Sequence, residues 1–80
     1  MKKIEVISID RIGQVGEISK ILSRVNGNIV SHTANVSSDG VSLISHFSAD
    51  VELGRDLDTE ALSRRLRRIR NVRKVRITDI

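Results

Sequence analysis

The two histidines of the chain, His32 and His46, are the side chains best suited to hold a metal ion. They fall in two consecutive β-type stretches, and a hairpin register that pairs Ser37 with Val41 sets them opposite each other. Two imidazoles on neighbouring strands could begin a zinc site, but such sites take three or four protein ligands, and no third ligand is evident nearby. We therefore expect a cross-strand polar pair at a sheet face or a dimer interface, and no metal.

A basic segment near the end of the chain is the second candidate for chemistry. It runs from Arg64 to Arg76 and contains no acid, and its basic residues are Arg64, Arg65, Arg67, Arg68, Arg70, Arg73, Lys74 and Arg76. A basic helix followed by a basic strand could follow a phosphate backbone. However, Phe47 is the only aromatic residue, so bases cannot stack on aromatic side chains as they do in RNA recognition motifs. A solvated helix face, or docking onto an acidic surface of a larger enzyme, explains the arginines as well, and nucleic-acid binding is the less favoured alternative.

No part of the chain has the pattern of a catalytic site. Serine, histidine and aspartate all occur, yet no spacing places a nucleophile beside an oriented base. The sequence has no phosphate-binding glycine loop with a lysine and no zinc-type spacing. The absence of cysteine excludes disulfides and thiolate metal sites. We expect a protein that is not an enzyme and needs no cofactor.

Apolar periodicity divides the chain into strands and helices. Ile4 to Ile9 is apolar on both faces apart from two positions, which is typical of a strand in the middle of a sheet. Asp10 suits a turn or an N-cap, and Gly13 allows the backbone to bend. From about Gln14 the period becomes helical, with one apolar stripe made of Val15, Ile18, Ile21, Leu22 and Val25.

The middle of the chain indicates a β-hairpin. Residues Asn28–Ser37 and Val41–Val51 flank the sequence Ser38-Asp39-Gly40, and glycine in third place is typical of a three-residue loop. The resulting register places Ile29, Val41, Leu43, Phe47, Ala49 and Val51 on the core face. It places Val30, His32, Ala34, Val36, Ile44 and His46 on the other, half-polar face.

The remaining residues predict a second helix and a last strand. Asp58 is a plausible N-cap, and the apolar stripe of the helix is Leu62, Leu66 and Ile69. Asn71 ends the helix, and Val72–Ile80 forms the strand. The order strand, helix, strand, strand, helix, strand predicts an α+β, ferredoxin-like βαββαβ sandwich, with a four-stranded antiparallel sheet and two helices on one face.

The length of the chain predicts one domain spanning residues 1–80. Such a small core is of marginal stability, and without disulfides self-association is the common remedy. No apolar run approaches the roughly 18 residues of a membrane span. The start, Met1-Lys2-Lys3, does not lead into a signal-peptide core, so we expect a cytoplasmic protein without membrane contact.

Two short motifs and the order of the elements carry a family resemblance. Asp10-Arg11-Ile12-Gly13, an amphipathic helix, and Gly27-Asn28-Ile29 at the start of the second strand together resemble the ACT domain pattern. The segment Arg70–Ile77 is similar to the family's last helix-to-strand connection. Within the family, the run Ser31 to Phe47 and the loop Asp10 to Gly13 look most like the C-terminal ACT domain of Rel-type (p)ppGpp synthetase/hydrolases. The chain would then be an excised regulatory domain or a free-standing relative.

The resemblance implies a regulatory module that forms homodimers along the second strand and holds a small ligand, typically an amino acid, at the seam. In that picture the ligand site consists of Asp10, Arg11, Ile12, Gly13 and Gln14 of one chain and Asn28 of the neighbouring chain. Amide groups at a helix N-terminus suit a ligand carboxylate. Asn28 offers a donor and an acceptor, and Asp10 could accept from an ammonium group. The chain departs from the family at Ile12, where proline is frequent, and at Gln14, where a branched apolar residue is frequent.

Two alternatives stand beside the sensing module. A ligand-free structural dimerisation module would need the open strand edge and the apolar seam but no polar pocket. A nucleic-acid-binding domain would use the segment Arg64–Arg76. A fused or separate enzyme is a further partner to expect of a regulatory module.

Overall fold

The computed structural model describes residues 1–9 and 14–80, so residues 10–13 lie outside the described part. The elements follow the order β1 (Lys2–Ile9), α1 (Gln14–Arg24), β2 (Asn28–Ser38), β3 (Leu43–Glu52), α2 (Thr59–Arg67) and β4 (Val72–Asp79). The strands form one antiparallel sheet in the order β2-β3-β1-β4. The predicted βαββαβ sandwich is therefore confirmed, and β1 lies inside the sheet as its two-sided apolar sequence predicted.

The core lies between the two helices and one face of the sheet, which we call the helix-side face. Its buried apolar residues are Ile4, Val6, Ile18, Leu22, Phe47, Ala49, Val51, Leu62, Leu66, Ile69 and Val75. The strand residues among them alternate along β1 and β3, as expected for a sheet covered on one side. The opposite face, which we call the open face, is left uncovered.

The end of α1 is closed by a Schellman motif. Asn26 has a left-handed backbone with φ of 57°, and its N–H donates to the Ser23 carbonyl at 3.1 Å. The N–H of Gly27 donates to the Leu22 carbonyl at 2.8 Å, which completes the motif. At α2, the Asp58 carboxylate accepts from the N–H groups of the first turn, so the predicted N-cap is confirmed.

The predicted hairpin register is wrong, because the loop is longer than three residues. Ser38 pairs with Leu43, and the four residues between them form the loop. The Asp39 carboxylate accepts the N–H of Val41 at 2.9 Å and that of Ser42 at 2.7 Å, and this side-chain turn holds the longer loop. Val41, predicted in the core, lies outside the strand and is 93% exposed.

The longer loop sets the pairs of both histidines. A β-bulge between Ile29 and Ser31 changes the pairing by one residue only at the start of β2. His32 pairs with Ala49, and His46 pairs with Asn35. The two histidines therefore lie on opposite faces of the sheet, and the predicted cross-strand pair is wrong.

The longer loop also changes the predicted composition of the open face. His32 pairs with Ala49 and Ala34 pairs with Phe47, and both partners are buried in the core on the helix-side face. His32 and Ala34 therefore lie on that face, and Val36 lies there too because alternate residues of a strand share a face. Leu43, predicted in the core, is 41% exposed. On β2 the open face carries the polar residues Asn28, Ser31, Thr33, Asn35 and Ser37.

Candidate functional site

The free edge of β2 is the first component of the candidate site. In the described part of the chain, β2 pairs with β3 alone. Backbone hydrogen bonds alternate in direction along an antiparallel strand. Since the N–H of Asp39 donates to the Ser42 carbonyl across the loop, that alternation directs the backbone groups of His32, Ala34 and Val36 away from β3. They are available to another strand.

Three exposed apolar residues form an apolar strip along this edge, with Ala34 and Val36 on the helix-side face and Val30 at the β-bulge. Val30 is 53% exposed and Val36 is 55% exposed, and Ala34 lies exposed between them. The ring of His32 stacks on Phe47, with centroids 6.1 Å apart and an angle of 25° between the ring planes. The helices leave this part of the face uncovered, so apolar atoms meet solvent beside a free strand edge.

Asn28 is the first residue of β2 and the only predicted site residue whose side chain the structure describes. Its Nδ2 donates to Oε1 of Glu52 at 3.1 Å, across the first pair of β2 and β3. This hydrogen bond orients the amide and leaves its carbonyl oxygen free to accept another donor. The sequence did not indicate Glu52, because the predicted three-residue loop pairs Asn28 with a different residue of β3.

Gly27 sets the approach of Asn28 to the core. A Cβ atom there would lie 3.0 Å from Leu53 Cδ2, 3.1 Å from the Leu22 carbonyl oxygen and 3.2 Å from Val51 Cγ1. Only glycine fits this join without displacing a neighbour. The start of β2 is therefore packed closely against the last turn of α1.

The other predicted site residues begin at the far end of α1. Gln14 is the first residue of that helix, and residues 10–13 lie outside the described part of the chain. Because α1 has 11 residues, Gln14 and Asn28 are separated by about the 16 Å length of the helix. A single protomer therefore does not bring Gln14 and Asn28 together.

Two carboxyl groups, those of Asp39 in the hairpin loop and Asp79 at the end of β4, have lowered pKa values. Hydrogen bonds from the backbone N–H groups of Ser42 and Val41 lower the pKa of Asp39. A hydrogen bond from the Lys2 ammonium, together with its positive charge, lowers the pKa of Asp79. Among residues 1–9 and 14–80, no three histidine, cysteine or acidic side chains gather as a metal site would require. In that same part of the chain, no helix is long and apolar enough to cross a membrane.

The topology and the packing of both helices on one sheet face are those of a ferredoxin-like fold, which ACT domains of known structure share. The crystal structure of the ACT domain from GTP pyrophosphokinase of Chlorobium tepidum matches it with a TM-score of 0.72 and 21% identity, over 95% of this chain and 94% of that chain. The solution NMR structure of the same domain matches with a TM-score of 0.57 and 18% identity, over 99% of this chain and 85% of that chain. The predicted resemblance to the Rel-type ACT domain is thus confirmed in fold.

A longer protein contains the same fold. A formyltetrahydrofolate deformylase from Pseudomonas putida KT2440 matches with a TM-score of 0.68 and 8% identity. The match covers 100% of this chain and 29% of the deformylase, so the chain corresponds to less than a third of that protein. Neither a family model nor a curated protein sequence matches the chain.

Proposed function

We propose that the chain is a regulatory module without catalytic activity, which forms a homodimer through β2 and binds a small amino acid at the seam. The observation that carries the proposal is the free, uncharged edge of β2 beside the apolar strip of Val30, Ala34 and Val36. A long, uncharged edge strand readily pairs with a strand of another chain, because its outward N–H and C=O groups lack partners. An antiparallel partner would continue the sheet and cover the strip.

The register of the sheet favours a ligand site shared between two chains. Ile9 at the end of β1 pairs with Ile44, which pairs with Ser37 near the end of β2. In a symmetric dimer centred near Thr33, Asn28 of the partner chain would lie opposite the end of β2. That is the end of the sheet where β1 stops and residues 10–13 follow. Two chains can therefore combine groups that one chain keeps about a helix length apart.

The chemistry of these groups fits an amino acid. The first amides of α1, at Gln14, carry free N–H groups and the positive end of the helix dipole, which favour a carboxylate. The Asn28 carbonyl oxygen and the Asp10 carboxylate are acceptors for an ammonium group. Ligand bound across the seam would stabilise the dimer, and dimerisation would tighten ligand binding by the same factor. A fused or separate enzyme would sense that change.

Titration of the isotope-labelled chain with each standard amino acid, followed by amide chemical shifts, tests this proposal. We expect one or a few small amino acids to shift the amides of Gln14 and Asn28. Asn28→Ala should abolish the response, whereas Asn35→Ala, an exposed asparagine on the same strand, should preserve it. A confirmed dimer that responds to no amino acid would leave the ligand-free dimerisation module as the function. A monomer at about 100 μM would contradict the shared site itself.

A further inference from the structure

The second free edge of the sheet, β4, lies at the opposite side of the molecule from β2. In the described part of the chain, β4 pairs only with β1. The N–H of Ile80 donates to the Met1 carbonyl at 3.2 Å, so the backbone groups of Lys74, Arg76 and Thr78 point toward β1. By alternation, the N–H and C=O groups of Val75 and Ile77 point outward. An extended peptide could bond to both.

A groove runs beside these outward backbone groups, between β4 and α2. It has a volume of about 270 Å³, and its lining includes Val75, Ile77, Thr59, Ser63 and Arg67. The hydroxyl groups and the arginine belong to one face of α2, because they recur every fourth residue. Side chains of an added strand that point to the helix side would enter this groove.

The charges around the groove are mostly positive. Lys74 and Arg76 alternate with the outward-bonding residues and lie on the open face, beside Glu5 and Ile7. Arg67 approaches from the helix side. None of Arg67, Lys74 and Arg76 forms an ion pair within residues 1–9 and 14–80. Glu60 is the one acid in the groove lining, in the first turn of α2.

These charges decide between two occupants of the edge. A second copy that paired β4 with β4 would bring the Lys74 and Arg76 side chains of both chains together. Like charges opposite each other destabilise a strand pair. A strand with acidic residues on the same face would instead be attracted by both cations.

We propose that β4 accepts an acidic, extended peptide segment of a partner protein as a fifth strand of the sheet. Its backbone bonds to the outward groups of Val75 and Ile77, its acidic side chains face Lys74 and Arg76 on the open face, and its alternate side chains enter the groove on the helix side. Main-chain bonds supply affinity in this mode of recognition, and alternate side chains supply specificity. The site is independent of the proposed dimer, because β2 and β4 are opposite edges.

A fluorescent, end-capped peptide of about seven residues that alternates glutamate with valine is the probe, titrated by anisotropy at about 50 mM salt. We expect Lys74→Glu and Arg76→Glu each to weaken binding by about tenfold, close to 1.4 kcal/mol. Arg65→Glu makes the same change of charge and is the control, because Arg65 lies on α2 outside the lining of the groove, and it should change binding by less than about twofold. The double variant Lys74→Glu, Arg76→Glu should gain affinity for the corresponding peptide of lysine and valine.

Hydrogen exchange separates strand addition from attraction of charge alone. The bound peptide should slow exchange at the Val75 and Ile77 amides and leave the amides of Lys74 and Arg76 unchanged, since those already bond to β1. Equal binding by a peptide with proline at its centre would overturn the proposal, and so would an equal loss in Arg65→Glu. Binding of single-stranded RNA but not of the peptide would assign the surface to nucleic acid instead. A parent chain that is a dimer by light scattering and becomes a monomer on Ile77→Pro, which removes an outward N–H of β4, would assign the edge to a second copy.

Discussion

The side-chain nitrogen of Asn28 lies 3.1 Å from Oε1 of Glu52, across the pair where β2 begins and β3 ends. The carboxylate accepts from the amide and so selects the orientation in which the Asn28 carbonyl oxygen is free. That oxygen is the acceptor that the proposed amino-acid site requires.

The first prediction follows from this contact. Asn28→Ala should weaken binding of the amino acid by about 1–3 kcal/mol, because a polar ligand group loses its partner. Glu52→Ala should weaken it by only about 0.5–1.5 kcal/mol, because the Asn28 amide remains but is no longer oriented. Calorimetry measures both changes.

The control for Glu52 is its neighbour on the same face of β3. Asp50 accepts a hydrogen bond from Ser31 at 3.2 Å, two pairs further into the hairpin. Asp50→Ala removes the same charge without touching Asn28, so binding should be retained. An equal loss in Asp50→Ala and Glu52→Ala would show that charge, and not orientation of the amide, matters.

The second prediction concerns dimerisation through β2. Ala34→Pro removes an N–H that points away from β3, and proline is tolerated at the edge of a sheet. We expect this variant to keep its fold by circular dichroism and to be a monomer at about 100 μM by light scattering. The parent chain should be a dimer under the same conditions.

Proline at the adjacent position, Thr33, is the contrasting variant for Ala34→Pro. Thr33 pairs with Ser48, and the alternation of the ladder directs its backbone toward β3. Thr33→Pro should therefore destabilise the monomer itself. A dimer that survives Ala34→Pro would place the interface elsewhere.

The third prediction tests the join between α1 and β2. Gly27→Ala should lower the free energy of unfolding by about 1–3 kcal/mol, because the added methyl group meets a backbone oxygen and two packed side chains. Gly54→Ala is the control, since nothing lies within 4 Å of a Cβ atom there. Urea denaturation should find Gly54→Ala as stable as the parent or up to about 1 kcal/mol more stable. Equal stability of Gly27→Ala and Gly54→Ala would contradict the packing of this join.

The element order could be predicted from the sequence because local signals agreed with the fold. No segment showed both the helical and the strand periodicity of apolar residues. In addition, aspartate, as at Asp58, is preferred at helix N-caps, and asparagine, as at Asn26, is frequent where a helix ends. The hairpin register could not be predicted from the loop's glycine alone. Gly40 does adopt the expected left-handed backbone, with φ of 91°, but the Asp39 side chain adds a competing set of hydrogen bonds.

The candidate site was less accessible to sequence reasoning, because its geometry depends on that register. One error in loop length moved His32 to the wrong face and concealed the contact between Asn28 and Glu52. The bulge after Ile29 has no local signal such as glycine, so its position follows only from packing of the whole strand. The predicted residues 10–13 lie outside the described part of the chain, and their role in the site stays a prediction.

The last prediction concerns the hairpin loop and its dependence on pH. Hydrogen bonds from the N–H groups of Ser42 and Val41 stabilise the ionised carboxylate of Asp39, so its pKa in the folded chain lies below the ordinary value of 3.8. For a carboxyl group whose pKa falls on folding, the stabilisation is fully present above the unfolded pKa and is lost as the pH falls through the folded pKa. The amide proton shifts of Val41 and Ser42 should therefore titrate together, with a midpoint below 3.8. Asp39→Ala should remove this titration, whereas Asp79→Asn, which removes the other carboxylate with a lowered pKa, should leave it unchanged. A midpoint at or above 3.8 would show that the Asp39 carboxylate does not hold the four-residue loop.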